Sequence, residues 1–191
     1  MIKILIDTNP QRLRVQDTLK LLSPQRAQYV MKFSRNSDRQ LSCAAYLLLS
    51  QGLRDIYDES TPPEFIYDER GKPYLKDLPN IHFNMSHCRA AAVCAIGDQP
   101  VGVDVETIRP FRDVLARHVL SDNEYRRTIR SSHPDEEFIR LWTMKESLLK
   151  LTGRGIFTNL RTLLHEAEGY RFQTQYHATF ILTYCTKVVN T

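Results

Sequence analysis

No apolar run among the 191 residues approaches the ~20 that a membrane-spanning helix needs, which excludes a helical membrane protein. The opening stretch from Met1 to Asp7 has the pattern of an edge strand and lacks the charged start and apolar core of a secretion signal. Cysteine is scarce: Cys43, Cys88, Cys94 and Cys185 are the four, and none stand in C-x-x-C spacing. A disulfide framework or a zinc site therefore has no basis, and reduced thiols in the cytoplasm are expected. Excess charge is lacking too. A formal net charge of +4 does not by itself point to nucleic acid. Nor does any segment visibly repeat another.

What is present is concentrated in three short segments. Gly102-Val103-Asp104-Val105-Glu106 reads as a β-branched strand, so Asp104 and Glu106 project from one face. Trp142-Thr143-Met144-Lys145-Glu146-Ser147-Leu148-Leu149-Lys150 reads as a helix that puts Glu146 and Lys150 on one face. Taken alone, the first is most often a half-buried strand with acids in water, and the second an ordinary i,i+4 pair. Together they offer three carboxylates and a lysine on two rigid elements. Hard cations such as Mg²⁺ take oxygen ligands and leave sites for substrate phosphate, and a lysine alongside adds a point charge for a phosphate oxygen. The pattern points to metal-assisted chemistry on a phosphate or pyrophosphate. The third segment, Phe83-Asn84-Met85-Ser86-His87, is a strand end. Neighbours on a strand point to opposite faces, so Ser86 and His87 do not read as a hydrolase pair.

Elements are expected as follows: a strand at Ile2–Asp7, helices near Gln11–Leu22, Pro24–Arg35 and Asp38–Ile56, then a loop with Pro62, Pro63, Gly71 and Pro73. Strands at Ile81–Met85, Ala90–Ile96 and Val101–Glu106 come next. Helices at Phe111–Val119, Ser121–Ser131 and Pro134–Thr152 follow, with short strands at Arg161–Glu166, Arg171–Tyr176 and Thr179–Tyr184. Runs of strands and runs of helices without steady alternation make the class α+β. Basic residues gather between Arg26 and Arg39, with Lys32 and Arg35. They gather again at Arg109, Arg112, Arg117, Arg126, Arg127 and Arg130. Most are expected on solvated helix faces.

The three segments in this order, with Gly71-Lys72-Pro73 before them, Ser23-Pro24 opening a basic helix, and Gly153-Arg154-Gly155 after them, resemble the 4′-phosphopantetheinyl transferase superfamily. The likeness is to its longer, monomeric, surfactin-synthetase-activating class, and runs from about Ser23 to Gly155. The resemblance implies two similar α+β halves, 1–98 and 99–191, with the active site between them. It implies transfer of the phosphopantetheine arm of coenzyme A to a serine of an apo acyl or peptidyl carrier protein, with Mg²⁺, releasing 3′,5′-ADP. Asp104, Glu106 and Glu146 match the metal-binding acids. Lys150 matches a lysine at the departing 3′,5′-ADP. Ser86, His87, Lys72 and Arg26 match coenzyme A contacts, and Glu124 matches an acid proposed as a base or metal partner. Glu146 and Glu124 both remain open as the base. The second basic cluster is then expected to meet an acidic carrier helix.

Three rivals stand beside this reading. The short trimeric carrier-protein synthase class, about half this length, is disfavoured by the presence of an N-terminal half. A metal-dependent nuclease wants Glu and Lys two apart on a strand, whereas Glu146 and Lys150 are four apart on a helix. A non-catalytic carrier-binding homologue is disfavoured by the intact acids and Lys150.

Overall fold

Leu41, Ala44, Ala45, Leu48, Leu49 and Leu53 recur every three or four residues and form the buried side of a long helix, α3 (Asn36–Tyr57). The computed structural model describes residues 1–154 and 159–188. Before α3 come α1 (Val15–Thr18) and α2 (Pro24–Met31). Ser23 caps α2 by accepting a hydrogen bond from the Arg26 amide at 3.3 Å, and Pro24 occupies the first helical position, where no amide is needed.

The N-terminal sheet holds β1 (Ile2–Asp7), β4 (His82–His87) and β5 (Ala92–Gly97), all antiparallel in the order β1-β5-β4. Its central strand β5 is buried along its whole length, which explains its unbroken run of small and apolar residues. Cys94 and Ile96 pack toward α3, while Val93 and Ala95 turn to the other half.

The C-terminal sheet repeats this design with β6 (Val101–Thr107), β7 (Tyr170–Tyr176) and β8 (Phe180–Lys187) in the order β6-β8-β7. Three helices, α4 (Asp113–Val119), α5 (Asp122–Arg130) and α6 (Pro134–Thr152), lie between β6 and β7. In each half an outer strand leads into helices, and a hairpin returns to place its last strand at the centre. The fold is α+β in two similar halves. A shared core of Val93, Ala95, Val101, Val103, Val105 and Leu182, with Ile2, Ile4 and Ile6 against it, joins them.

Sequence expectations fail in three places. The helix expected at Gln11–Leu22 is three short turns, Pro10–Arg12, Val15–Thr18 and Leu19–Leu21. There the Thr18 hydroxyl donates to the Arg14 carbonyl at 2.9 Å, and the chain is extended at Leu22 before the Ser23 cap. The Pro- and Gly-containing loop holds a two-stranded ribbon, β2 (Phe65–Tyr67) with β3 (Pro73–Leu75). Arg161–Glu166 is not a strand. Leu160, Leu163 and Leu164 have helical spacing and lie in a run of turns, with the Leu163 amide bonding the Leu160 carbonyl at 3.4 Å. Gly155 of the Gly153-Arg154-Gly155 motif lies outside the described residues.

Candidate functional site

The site lies where β4 of one half meets β6 and α6 of the other. The Asn84 carbonyl oxygen accepts the Val103 amide at 3.1 Å, so a side chain of β4 satisfies the open edge of β6. Alternation along β4 then carries Ser86 to the same junction, where it is buried, while His87 keeps only part of its surface in solvent, its imidazole lying among protein atoms. On the other side, α6 closes tightly on β6. A Cβ placed on Gly102 would come within 2.0 Å of the Ser147 carbonyl and 2.6 Å of the Leu151 amide nitrogen, so only glycine permits this approach.

That approach brings Lys150 onto Asp104. The Lys150 ammonium donates to Asp104 Oδ1 at 2.7 Å and to Ser86 Oγ at 2.8 Å, and Ser86 Oγ donates to the same Oδ1 at 2.8 Å. Asp104 is 4 % exposed, and its Oδ2 is buried without a partner. Glu106 and Glu146 flank it. Burial, then the negative charge of Asp104, pushes both of their carboxyl groups above the usual range.

Three converging carboxylates and an orphaned buried oxygen form a hard donor set in which a divalent cation would relieve the mutual repulsion. As they stand, no group of three or more His, Cys, Asp or Glu among the described residues is gathered as a metal cluster. Lys150 holds Asp104 Oδ1.

A cavity of about 550 Å³ opens beside the triangle, lined by Lys72, Met85, Trp142, Glu146, Leu149 and Lys150 among others. A larger groove of about 920 Å³, lined by Arg12, Lys20 and Arg54 and one side of α3, contains none of the candidate residues. Lys72 spans the cleft from the ribbon loop and donates to the Leu151 carbonyl at 2.6 Å, near the end of α6. Burial lowers its pKa below the ordinary 10.5. The His87 imidazole is pushed below the usual 6.5 by crowding protein, then by the cations Lys150 and Arg26, which places all three in one electrostatic neighbourhood. Arg26 is buried, donates to Ser42 Oγ at 2.8 Å, and lies over the Tyr29 ring at 4.7 Å. Its Nε is buried without a partner.

Glu124 is engaged elsewhere. It completes a capping box with Ser121 at the start of α5, and both of its oxygens accept from Lys145, at 3.0 and 2.9 Å. Lys145 and Asn84 received no role in the sequence reading. The signal for Lys145 was available: it sits on the apolar face of α6 with Leu141, Leu148 and Leu149, where a lysine demands a buried partner.

The profile described as the 4′-phosphopantetheinyl transferase superfamily matches residues 100–187. The 4′-phosphopantetheinyl transferase ffp of Bacillus subtilis is 31 % identical over 175 residues, covering 87 % of this chain and 78 % of its own length. The chain belongs to the 4′-phosphopantetheinyl transferase superfamily. A second Bacillus subtilis phosphopantetheinyl transferase is 40 % identical over 95 residues, and there the match spans 48 % of this chain and 42 % of the relative. The phosphopantetheinyl transferase Sfp of Bacillus subtilis strain 168 is 29 % identical over 141 residues, with 72 % and 63 % covered. The chain thus matches less than two thirds of the length of two of these three relatives. The profile match takes in Asp104, Glu106, Glu146 and Lys150 but begins after Ser86 and His87.

Proposed function

We propose that this chain transfers the 4′-phosphopantetheine arm of coenzyme A to a serine of an apo acyl or peptidyl carrier protein and releases 3′,5′-ADP. The observation that carries the reading is Asp104, clamped by Ser86 of one half and Lys150 of the other, with one oxygen unpaired and two further acids beside it. Asp104, Glu106 and Glu146 would hold Mg²⁺, which, when bound, neutralises charge on the pyrophosphate of coenzyme A. Lys72, His87, Ser86 and Arg26 are assigned to its phosphates.

In the reaction the carrier serine oxygen bonds to the β-phosphorus. The bond from that phosphorus to the oxygen bridging the pyrophosphate breaks, and 3′,5′-ADP leaves with the electron pair. Lys150 stabilises the charge on this leaving group. The serine proton goes to Glu146, directly or through a water. Glu124 is less suited, since both oxygens are held by Lys145. The same reading makes the protein a cytoplasmic monomer, with halves 1–98 and 99–191 forming one enzyme and no nucleic acid or membrane partner. Among the described residues no helix is long and apolar enough to cross a membrane.

The test is direct. Incubation with coenzyme A, Mg²⁺ and apo carrier protein should add the mass of one phosphopantetheine to the carrier, and excess chelator should abolish the gain. Carrier binding without any mass change would make the chain a non-catalytic homologue. Undiminished transfer in chelator would remove Mg²⁺ from the reading.

A further inference from the structure

The ion pair between Glu124 and Lys145 lies outside the site just described, yet Lys145 immediately precedes Glu146 in α6. The Lys145 side chain is 1 % exposed, and its ammonium has three acceptors for its three protons. These are Glu124 Oε1 at 3.0 Å, Glu124 Oε2 at 2.9 Å and the Leu160 carbonyl at 2.6 Å. Glu124 Oε2 also accepts the Ser121 amide at 2.7 Å. One ammonium therefore ties α6 to the first turn of α5 and to the turns that begin near Leu160.

A buried pair of this kind is weak support for stability, because apolar side chains of similar volume often do as well or better. What it does supply is direction. An ammonium with three fixed acceptors cannot turn away without leaving a charge unpaired inside the protein. Successive residues of a helix point about 100° apart, so fixing Lys145 fixes where Glu146 points and, one turn on, where Lys150 points.

We propose that the Glu124–Lys145 pair is a positioning device that sets the rotation of α6, so that Glu146 and Lys150 face Asp104. Glu124 then acts through Lys145 and takes no proton from substrate. The proposal rests on the transfer reaction only for its rate readout. A second readout is independent of activity: Trp142, the sole tryptophan, lies one turn before Lys145 and packs in one cluster with Leu160.

Three variants decide the matter: Glu124→Gln, which keeps a capping side chain but removes the charge, Lys145→Met, and the apolar pair Glu124→Leu/Lys145→Met. Each is melted first and assayed below its midpoint. If Lys145→Met does not fold, Glu124→Gln and the double variant carry the comparison. Misplacing catalytic groups by about 1 Å costs on the order of 10²-fold, so each single variant should lose about that much kcat with KM for coenzyme A unchanged. Trp142 emission should shift in the singles, and the double variant should recover both rate and emission. A double variant as slow as Glu124→Gln, beside a Lys145→Met at wild-type rate, would overturn the proposal and make Glu124 the proton acceptor. Single variants with unaltered Trp142 emission would overturn it as well. If the wild type transfers nothing, the transfer reaction fails, and Trp142 emission still decides the positioning.

Discussion

Lys150 has one ammonium and two claims on it. It pairs with Asp104 and bonds Ser86, and in the proposed transfer it is assigned to the charge that develops on 3′,5′-ADP. An interaction that strengthens in the transition state lowers the barrier more than it tightens binding. Lys150→Ala should therefore reduce kcat on the order of 10²–10³-fold with a smaller rise in KM. Steady-state titration of coenzyme A checks this, and a raised KM at unchanged kcat would leave Lys150 a binding residue only. His87 offers a second test at this scale. Its folded pKa lies below the ordinary 6.5, so just below that pH the unfolded chain binds more protons than the folded one. Stability from this group is complete above about pH 6.5 and declines as pH falls from there toward the folded pKa. His87→Gln should flatten that part of the stability curve, as read by chemical denaturation at pH 5 to 7.5. An unchanged slope would mean that the imidazole titrates normally. Asp104, Glu146 and Lys150 were visible in the sequence because spacing on a strand and on a helix dictates shared faces. The partnership of Glu124 with Lys145 was not, since it joins residues 21 apart through a buried contact that no local period encodes.

At the scale of elements, the clearest feature is the closeness of α6 to β6 at Gly102. Gly102→Ala puts a methyl group against backbone atoms, 2.0 Å from the Ser147 oxygen, and backbone yields less readily than a side-chain tip. Overpacking of this kind costs about 3 kcal/mol. Because the helix must move off the strand, the Lys150–Asp104 contact should lengthen and transfer should fall further than stability alone explains. Urea melts together with kcat measured on the folded fraction test both parts. Normal turnover per folded molecule would show that the site tolerates the displacement. The same elements show where pattern reading succeeds. β6 and α6 each carry a sustained period and a firm end, the latter at Gly153 in a left-handed conformation. The ribbon of β2 and β3 has only three residues per strand, too few for a period, and Pro73 hides its second strand. At Leu160 to Leu164 the apolar spacing is helical, and Thr162 is the one β-branched residue among them.

At the scale of the whole molecule, the proposed encounter with a carrier rests on the second arginine cluster, on and around α4 and α5. Several arginines of the second cluster are occupied: Arg117 bonds Asp113 at 2.8 Å, Arg126 bonds Asn123 at 2.6 Å and Arg127 pairs with Glu137 at 2.9 Å. Arg112 and Arg130 are exposed on the same run of helices. Reversing both to Glu should lower kcat/KM for the carrier at low salt, with the deficit shrinking as salt screens the steering field. KM for coenzyme A should not change. A deficit equal for both substrates would return these arginines to the role of a solvated surface. At this scale the two similar halves were implied by the family resemblance alone and by no visible segment repeat, because the repeat resides in strand order, which unrelated side chains can build equally well.

That repeat has a further consequence. A contact between two copies of one design has the form of a twofold dimer interface, and here the copies are joined through only residues 98–100. In a symmetric dimer of identical chains every surface position occurs twice, so a change made for one cleft is made for both. A tethered pair escapes that constraint, and the linker also holds the halves together at any dilution. β1 shows the outcome. Ile2, Ile4 and Ile6 line the shared core as Val101, Val103 and Val105 do, so Leu5 stands between its flanking isoleucines as Asp104 stands between Val103 and Val105. Leu5 is packed among the apolar side chains under α3. One member of the pair has become a plug and the other a charged centre, a divergence open only to two designs written on one chain.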